Sequence, residues 1–249
     1  MPAAPFLLLD QIDSTNAEAR RRAEAGEAGP LWITARRQTE GRGRRGRTWQ
    51  SETGNLAATL LLTTRKPPAE AAQITFVAAL AVADLLDAYA PPSLVAIKWP
   101  NDVMLAGEKA SGVLVESGAH PAGGLWLAVG IGVNLADAPA GTERPATALA
   151  RHLRVDVAAT PSPEAAATRL AQAFAVWLER WTTLGFEPVL DAWTTRTTGL
   201  DGPATARLGH ETVEGRAEGV APDGALRLRL ADGTLRLISA GDVFFGEAA

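Results

Sequence analysis

The chain has no cysteine, one tyrosine, two methionines and three histidines in 249 residues. Without cysteine, disulfides and thiolate metal sites are excluded. His120, His152 and His210 are too widely spaced to suggest a histidine-based zinc site. Positive charge is not in excess either. Lysine and arginine number 24 against 28 acidic residues, a formal net charge of −4, so the basic face of a nucleic-acid-binding protein is not expected. No uninterrupted apolar run reaches transmembrane length. The run Phe6-Leu7-Leu8-Leu9 ends at Asp10 with no basic residue before it, so it is too short for a signal peptide and reads as a strand. The expectation is a cytoplasmic protein of ordinary globular composition with no membrane partner. It is long enough for one large domain, or a large one plus a small one.

Against these absences, one stretch stands out: Gly41-Arg42-Gly43-Arg44-Arg45-Gly46-Arg47, with Trp49 just beyond. Glycine lets backbone approach a ligand closely. Arginine brings a fixed charge and forked donors that match phosphate and carboxylate. On its own the stretch fits an anion-binding loop, an RGG-like nucleic-acid segment or a solvated basic loop. Glycines and like charges disfavour one fixed conformation, so the loop is expected to move when no ligand is bound.

The first strand runs into Ser14-Thr15-Asn16 and then a helix stopped by Gly26, with capping-box spacing at Thr15 and Glu18. A cap needs one such side chain. Three in a row leave spare polar groups at the positive end of a helix, a suitable place for a ligand. A strand from Leu31 delivers Gln38 to the arginine loop, and an apolar strand follows from Leu56. Residues 70–89 read as one long core helix. A strand at Leu94 to Ile97 ends on Lys98-Trp99-Pro100-Asn101-Asp102. Lys98 and Asp102 are either an ordinary surface pair or hold an anion and a divalent ion side by side. Two hairpins follow, turning at 106–109 and 122–124. Gly130 and Gly132 weaken the last of these strands and point to close approach by a neighbour or ligand. Helices are expected at 145–153, 163–184 and 186–198. The turn-rich segment 199–203 marks a boundary, and five short strands after it suggest a small barrel.

The combination and order of these clusters are more specific than any one of them. Ser-Thr-Asn, Gln38, Gly-Arg-Gly-Arg-Arg-Gly-Arg-x-Trp, Lys-Trp-Pro-Asn-Asp, Lys109-x-x-Gly112-Val-Leu-Val-Glu116 and Gly-Ile-Gly-Val-Asn134 together resemble the biotin–protein ligase family over nearly the whole chain. The resemblance implies an α+β fold, a mixed β-sheet with flanking helices of the biotin/lipoate ligase type. A catalytic domain would span 1–200 and a small SH3-like β-barrel 201–249. It implies an enzyme that joins biotin to ATP as biotinyl-5′-AMP, releasing pyrophosphate. The biotinyl group then passes to a lysine of the carrier domain of acetyl-CoA carboxylase or a related carboxylase. By the same resemblance, Ser14, Thr15, Asn16 and Gln38 would hold the polar head of biotin. Gly41, Arg42, Gly43 and Arg44 would fold over biotin and the acyl-phosphate linkage. Lys98 and Arg44 would be the catalytic residues, with Lys98 between the biotin carboxylate and the α-phosphate. Arg47, Trp49, Asn101, Asp102, Lys109 and Asn134 would face ATP, and Asp102 would meet Mg²⁺.

Two positions depart from the family pattern: Arg36 stands where an acidic residue is usual, and Ser111 where a smaller one is common. Ser14 lies so near the start that no helix-turn-helix domain precedes it, and no operator DNA binding is expected. The resemblance admits a monomer or a homodimer. Lipoate ligase or octanoyltransferase chemistry is the related alternative. It needs an apolar tunnel rather than the polar set around Gln38. An RNA-binding module needs stacking partners beyond Trp49 and a basic surface.

Overall fold

The computed structural model describes residues 4–50 and 53–246. Strand β1 (Phe6–Ile12) leads into helix α1 (Thr15–Glu24), and β2 (Leu31–Gln38) returns parallel to β1. The arginine loop then crosses to β3 (Leu56–Thr64), which pairs antiparallel with β2. Helices α2 (Pro68–Ala71) and α3 (Ile74–Asp87) precede β4 (Val95–Lys98), β5 (Asp102–Leu105), β6 (Glu108–Ala119) and β7 (Leu125–Val133). The seven strands form one mixed sheet in the order β1-β2-β3-β7-β6-β5-β4. Helices α4 (Pro163–Leu184) and α5 (Glu187–Thr194) follow. The chain ends in β8 (Pro203–Arg207), β9 (Thr212–Val220), β10 (Leu226–Arg229), β11 (Leu235–Ile238) and β12 (Asp242–Phe245), a separate antiparallel sheet ordered β11-β10-β9-β8-β12.

Strand alternation divides the large sheet between two faces. Leu60, Val113, Val129 and Ile131 join α3, α4 and α5 in the main core. Ile33, Leu61 and Ala128 face Ala19 and Ala23 of α1 in a smaller one. By composition and length the 20-residue stretch Pro68–Asp87 could cross a bilayer, with mean hydropathy 1.6 over an 18-residue window. It is instead a core element, because α3 buries eleven side chains inside the protein.

Four local expectations are corrected. The cap of α1 is Ser14, whose Oγ accepts from Ala17 N–H at 3.4 Å, while Glu18 pairs with Arg21 and Arg22 instead of closing a capping box. The helix expected over 70–89 is broken at 72–73, where N–H groups of Gln73, Thr75 and Phe76 reach three residues back rather than four, a tightened turn. The segment 145–153 is not helical beyond one 3₁₀ turn at Leu149–Arg151. Pro145 and Thr147 bond to the backbone of Lys109 at 3.0 Å, so tertiary pairing overrides the local pattern. Helix α5 stops at Thr194 because the chain beyond it bonds to Ile97, with Ile97 N–H on Arg196 O at 2.8 Å and Thr198 N–H on Ile97 O at 2.9 Å.

Candidate active site

A cavity of about 250 Å³ opens on the sheet face opposite α3 and α4. Its floor follows from the register. Gly132 pairs with Ala57 on one side and Gly112 on the other, so residues that lack bulk line up across β3, β7 and β6, and Gly130, next on the same face of β7, lies between Thr59 and Leu114. The space left is used at once. A Cβ on Gly130 would lie 2.1 Å from Asn16 Oδ1, and one on Gly132 would lie 2.2 Å from the Trp49 ring. The two strand glycines thus admit one side chain from each end of the site, as their position in a strand suggests.

The first end is polar and largely buried. Ser14, Thr15 and Asn16 are each under 5% exposed, and Thr59 is fully buried. Gln38 Oε1 accepts from the Thr15 backbone N–H at 2.8 Å and lies 3.0 Å from the Thr15 hydroxyl. The Thr59 hydroxyl lies 2.8 Å from Thr15 Oγ1 and 2.7 Å from Asn16 Oδ1. Asn16 Nδ2 donates to Glu116 at 2.8 Å. Asp13 steadies the helix entry: its carboxylate binds Arg21 at 2.7 and 2.9 Å and accepts from Ser14 N–H at 2.7 Å. The Arg21 hydrogen bond outweighs burial and holds Asp13 at about 2, below its ordinary 3.8.

The arginine loop arches over the cavity as a narrow hairpin. Trp49 N–H bonds to Gly41 O at 2.9 Å, Gly43 N–H to Arg47 O at 2.7 Å, and Arg42 bridges Thr48. Arg45 takes a positive φ of 56° at the tip. The like charges do not stand unpaired. Arg44 donates to Asp242 at 3.2 Å and to Gly241 O at 2.9 Å, Arg45 donates to Asp242 at 3.1 Å, and Arg47 also binds this carboxylate. Burial alone would raise the Asp242 carboxyl, but hydrogen bonds from Arg47 and Arg45 and the charges of Arg47 and Arg44 hold it low. Burial pulls the Arg44 guanidinium below its ordinary value, against the attraction of Asp102 and Asp242.

At the far end the Trp49 ring lies on Gly132 and Gly112. Lys109 Nζ sits 2.6 Å from Asp102 and 5.9 Å from the Trp49 ring centre. Arg144 approaches the other Asp102 oxygen at 3.5 Å, donates to Val243 O at 3.0 Å and stacks on Phe244 at 4.1 Å. Asn101 donates to Val113 O, while its buried Oδ1 has no partner among the described residues. Asn134 lines the same end and donates to Thr147 O at 3.1 Å.

The residues expected in the site therefore converge on one cavity, with two differences. Gly41 shapes the loop base, where a Cβ would lie 2.3 Å from Trp49 O, but does not line the cavity. Lys98 does not line it either; its Nζ is 5.8 Å from both the Phe244 and the Phe245 ring. Register nonetheless pairs Lys98 with Asp102 and Asp102 with Gly112, placing the lysine at the end of the row that forms the floor. Burial, and then the charge of Arg144, lower Lys98 from 10.5 to about 8. Sequence reasoning missed Thr59, Arg144, Asp242 and the two β12 phenylalanines. Glu116 was visible in the motif but had no role. Asp242 lies 195 residues from Arg47 and carries no local signal.

Five cations (Arg42, Arg44, Arg47, Lys109 and Arg144) line one cavity of an acidic protein. That is the equipment of an enzyme handling anionic groups. The sequence model of the biotin/lipoate A/B protein ligase family matches residues 8–135, and that of the biotin protein ligase C terminal domain matches 203–246. The chain belongs to the biotin/lipoate A/B protein ligase family. It is 44% identical to the biotin–[acetyl-CoA-carboxylase] ligase of Paracoccus denitrificans over 241 residues, covering 96% of this chain and 100% of that one. The fold matches a biotin protein ligase from Aquifex aeolicus, solved with biotin and ATP, at TM-score 0.80 and 24% identity, covering 97% of this chain and 99% of that one. A Leishmania major biotin protein ligase in complex with biotinyl-5-AMP gives TM-score 0.63 and 27% identity, covering 95% of this chain and 99% of that one.

Proposed function

We infer that the chain is an ATP-dependent biotin–[acetyl-CoA-carboxylase] ligase. One observation carries this reading: a single cavity joins a buried hydrogen-bonding end to a cation-lined end, in a chain 44% identical to such a ligase along its whole length. The reaction has two steps. The biotin carboxylate attacks the α-phosphorus of ATP, and pyrophosphate leaves. The amine of a carrier lysine then attacks the acyl carbon of biotinyl-AMP; AMP leaves and the amine loses a proton.

The first step brings anions together. Two unit charges roughly 4 Å apart repel by about 4 kcal/mol at an effective dielectric of about 20, worth about three powers of ten in rate. Cations must therefore be in place before the bond forms. We assign Ser14, Thr15, Asn16 and Gln38 to the ureido head of biotin. Trp49 offers a stacking face to adenine, with Asn134 beside it. Arg42, Arg44 and Arg47 meet the phosphoryl oxygens, and Gly41 and Gly43 let the loop close over them. Lys98 stabilises charge between carboxylate and α-phosphate.

Asp102 does not fit a resident Mg²⁺, because its oxygens already face Lys109 and Arg144. The described residues also contain no cluster of three acidic or histidine ligands. Mg²⁺ is assigned as the counter-ion of ATP, and no step here passes through it. We divide the chain into a catalytic unit, 1–200, and a C-terminal unit, 201–249, the division supported by the turn before β8. We place the reaction in the cytoplasm and without operator DNA, in keeping with the acidic net charge.

The test is mass spectrometry of products after incubation with Mg²⁺-ATP and biotin, with lipoate and octanoate in parallel. Biotinyl-AMP from biotin alone is expected. Adenylate from lipoate instead would move the assignment to lipoate ligase chemistry, and no adenylate from any acid would overturn it.

A further inference from the structure

The last strand of the chain holds the cations of the site one after another. Asp242 receives Arg44, Arg45 and Arg47. Val243 O accepts from Arg144 at 3.0 Å, and the Phe244 ring carries the same guanidinium at 4.1 Å. Lys98 comes next, its Nζ 5.8 Å from the centre of the Phe244 ring and 5.8 Å from that of Phe245. β4 and β12 are each the end strand of their sheet, and Lys98 is the last residue of β4.

A lysine stem lying on aromatic rings at a boundary between two units is ordinary packing. Here more is fixed than packing requires. Ile97, just before the lysine, bonds to Arg196 and Thr198 on its two backbone groups. Trp99, just after it, donates Nε1 to Gly224 O at 2.9 Å, in the turn between β9 and β10. The Phe245 ring is seated as well. Gly199 has a positive φ of 84°, and a Cβ there would lie 2.5 Å from that ring. Lys98 is therefore held on both sides of its backbone and bounded by rings at its ammonium. An aromatic face attracts an ammonium and also takes the place of water. Arg144 and Lys109 repel the charge and Asp102 and Asp242 attract it, but burial weighs most.

We propose that Phe245, with Phe244 beside it, is a positioning residue for adenylate formation: the C-terminal unit confines the Lys98 ammonium at the end of the row that forms the cavity floor. The proposal rests on the ligase reading, which gives Lys98 its role between carboxylate and α-phosphate. Neither ring meets a substrate in this account; both act through the lysine. Phe245 is the cleaner probe, because Phe244 also carries Arg144 and Arg207.

The experiment measures kcat and KM for biotinyl-AMP formation, with pH profiles, in variants of the full chain. Phe245→Leu keeps an apolar side chain and removes the ring face, so kcat should fall about 2- to 5-fold. Phe245→Ala also admits water, and kcat should fall about tenfold. KM for biotin and ATP should stay put in both, because the lysine answers charge that gathers in the transition state. With water back, Lys98 should rise from about 8 toward its ordinary 10.5, so the loss of rate at high pH should move upward in Phe245→Ala and not in Phe245→Leu. In a Lys98→Ala background, Phe245→Leu and Phe245→Ala should cost nothing further, whereas a merely structural ring would cost the same in either background. Additive losses, or a wild-type kcat in Phe245→Leu, would overturn the proposal, and Phe245→Leu decides alone where Phe245→Ala does not fold. Undiminished adenylation in Lys98→Ala would sink it together with the lysine's role. No adenylate from the wild-type protein would instead overturn the ligase reading.

Discussion

Replacing Asp242 with asparagine should release the arginine loop. The carboxylate is 12% exposed and receives Arg44, Arg45 and Arg47, whose side chains are 29, 37 and 49% exposed. Charge-assisted bonds are worth about 1.5–3 kcal/mol when desolvated. Exposed pairs fall to about 0–1 kcal/mol. Only Arg44 is well covered, and asparagine keeps a carbonyl acceptor, so the latch should weaken by about 1–2 kcal/mol, a factor of about 5–30 in the opening equilibrium. The amides to watch are Gly43, which donates to Arg47 O at 2.7 Å, and Arg47, which donates to Arg44 O at 3.2 Å. Hydrogen exchange at both should quicken by that factor in ligand-free Asp242→Asn. ATP should bind more tightly by up to the same factor, because the wild-type arginines must leave Asp242 before meeting phosphates. Acid should imitate the substitution. The folded carboxyl lies below its ordinary 3.8, so the latch is complete above that value and is lost as pH falls through the lowered one. Unchanged exchange at Gly43 and Arg47 in Asp242→Asn would refute the latch.

Three further outcomes are expected. Lys98→Ala should slow adenylate formation by about 10²-fold or more, as for loss of a transition-state electrostatic donor; with Lys98 at about 8, the wild-type rate should decline as pH rises through that value, and a flat profile across it would contradict the role. Gly132→Ala should raise KM for ATP by displacing Trp49, whereas Gly130→Ala should raise KM for biotin by displacing Asn16, each by about 5- to 100-fold on the cost of overpacking; equal effects on both substrates would show that the floor does not separate the two ends. Arg44→Gly should let biotinyl-AMP escape, seen as diffuse labelling of bystander proteins, and labelling confined to the carrier would count against loop closure.

The sequence by itself determined the elements whose causes are local. The continuous apolar runs of Leu56–Thr64 and Leu125–Val133, the turn glycines between β6 and β7, and the apolar face of Pro163–Leu184 are all readable from the local sequence. The motifs named most of the cavity, since Ser14 to Asn16, Gln38, the arginine loop, Asn101, Asp102, Lys109 and Asn134 each follow a predicted element end or lie on a predicted strand. Gly130 and Gly132 even announced a close neighbour, though not that Asn16 and Trp49 were the neighbours.

Tertiary structure decided what depends on partners distant in sequence. Segment 145–147 pairs with Lys109 instead of coiling, and the chain after Thr194 bonds to Ile97 instead of extending α5. Thr59 and Glu116 matter only because register sets them beside Asn16. Asp242 matters only because the C-terminal sheet docks against the arginine loop. A cluster of like charges predicts a mobile loop until a carboxylate is brought to it.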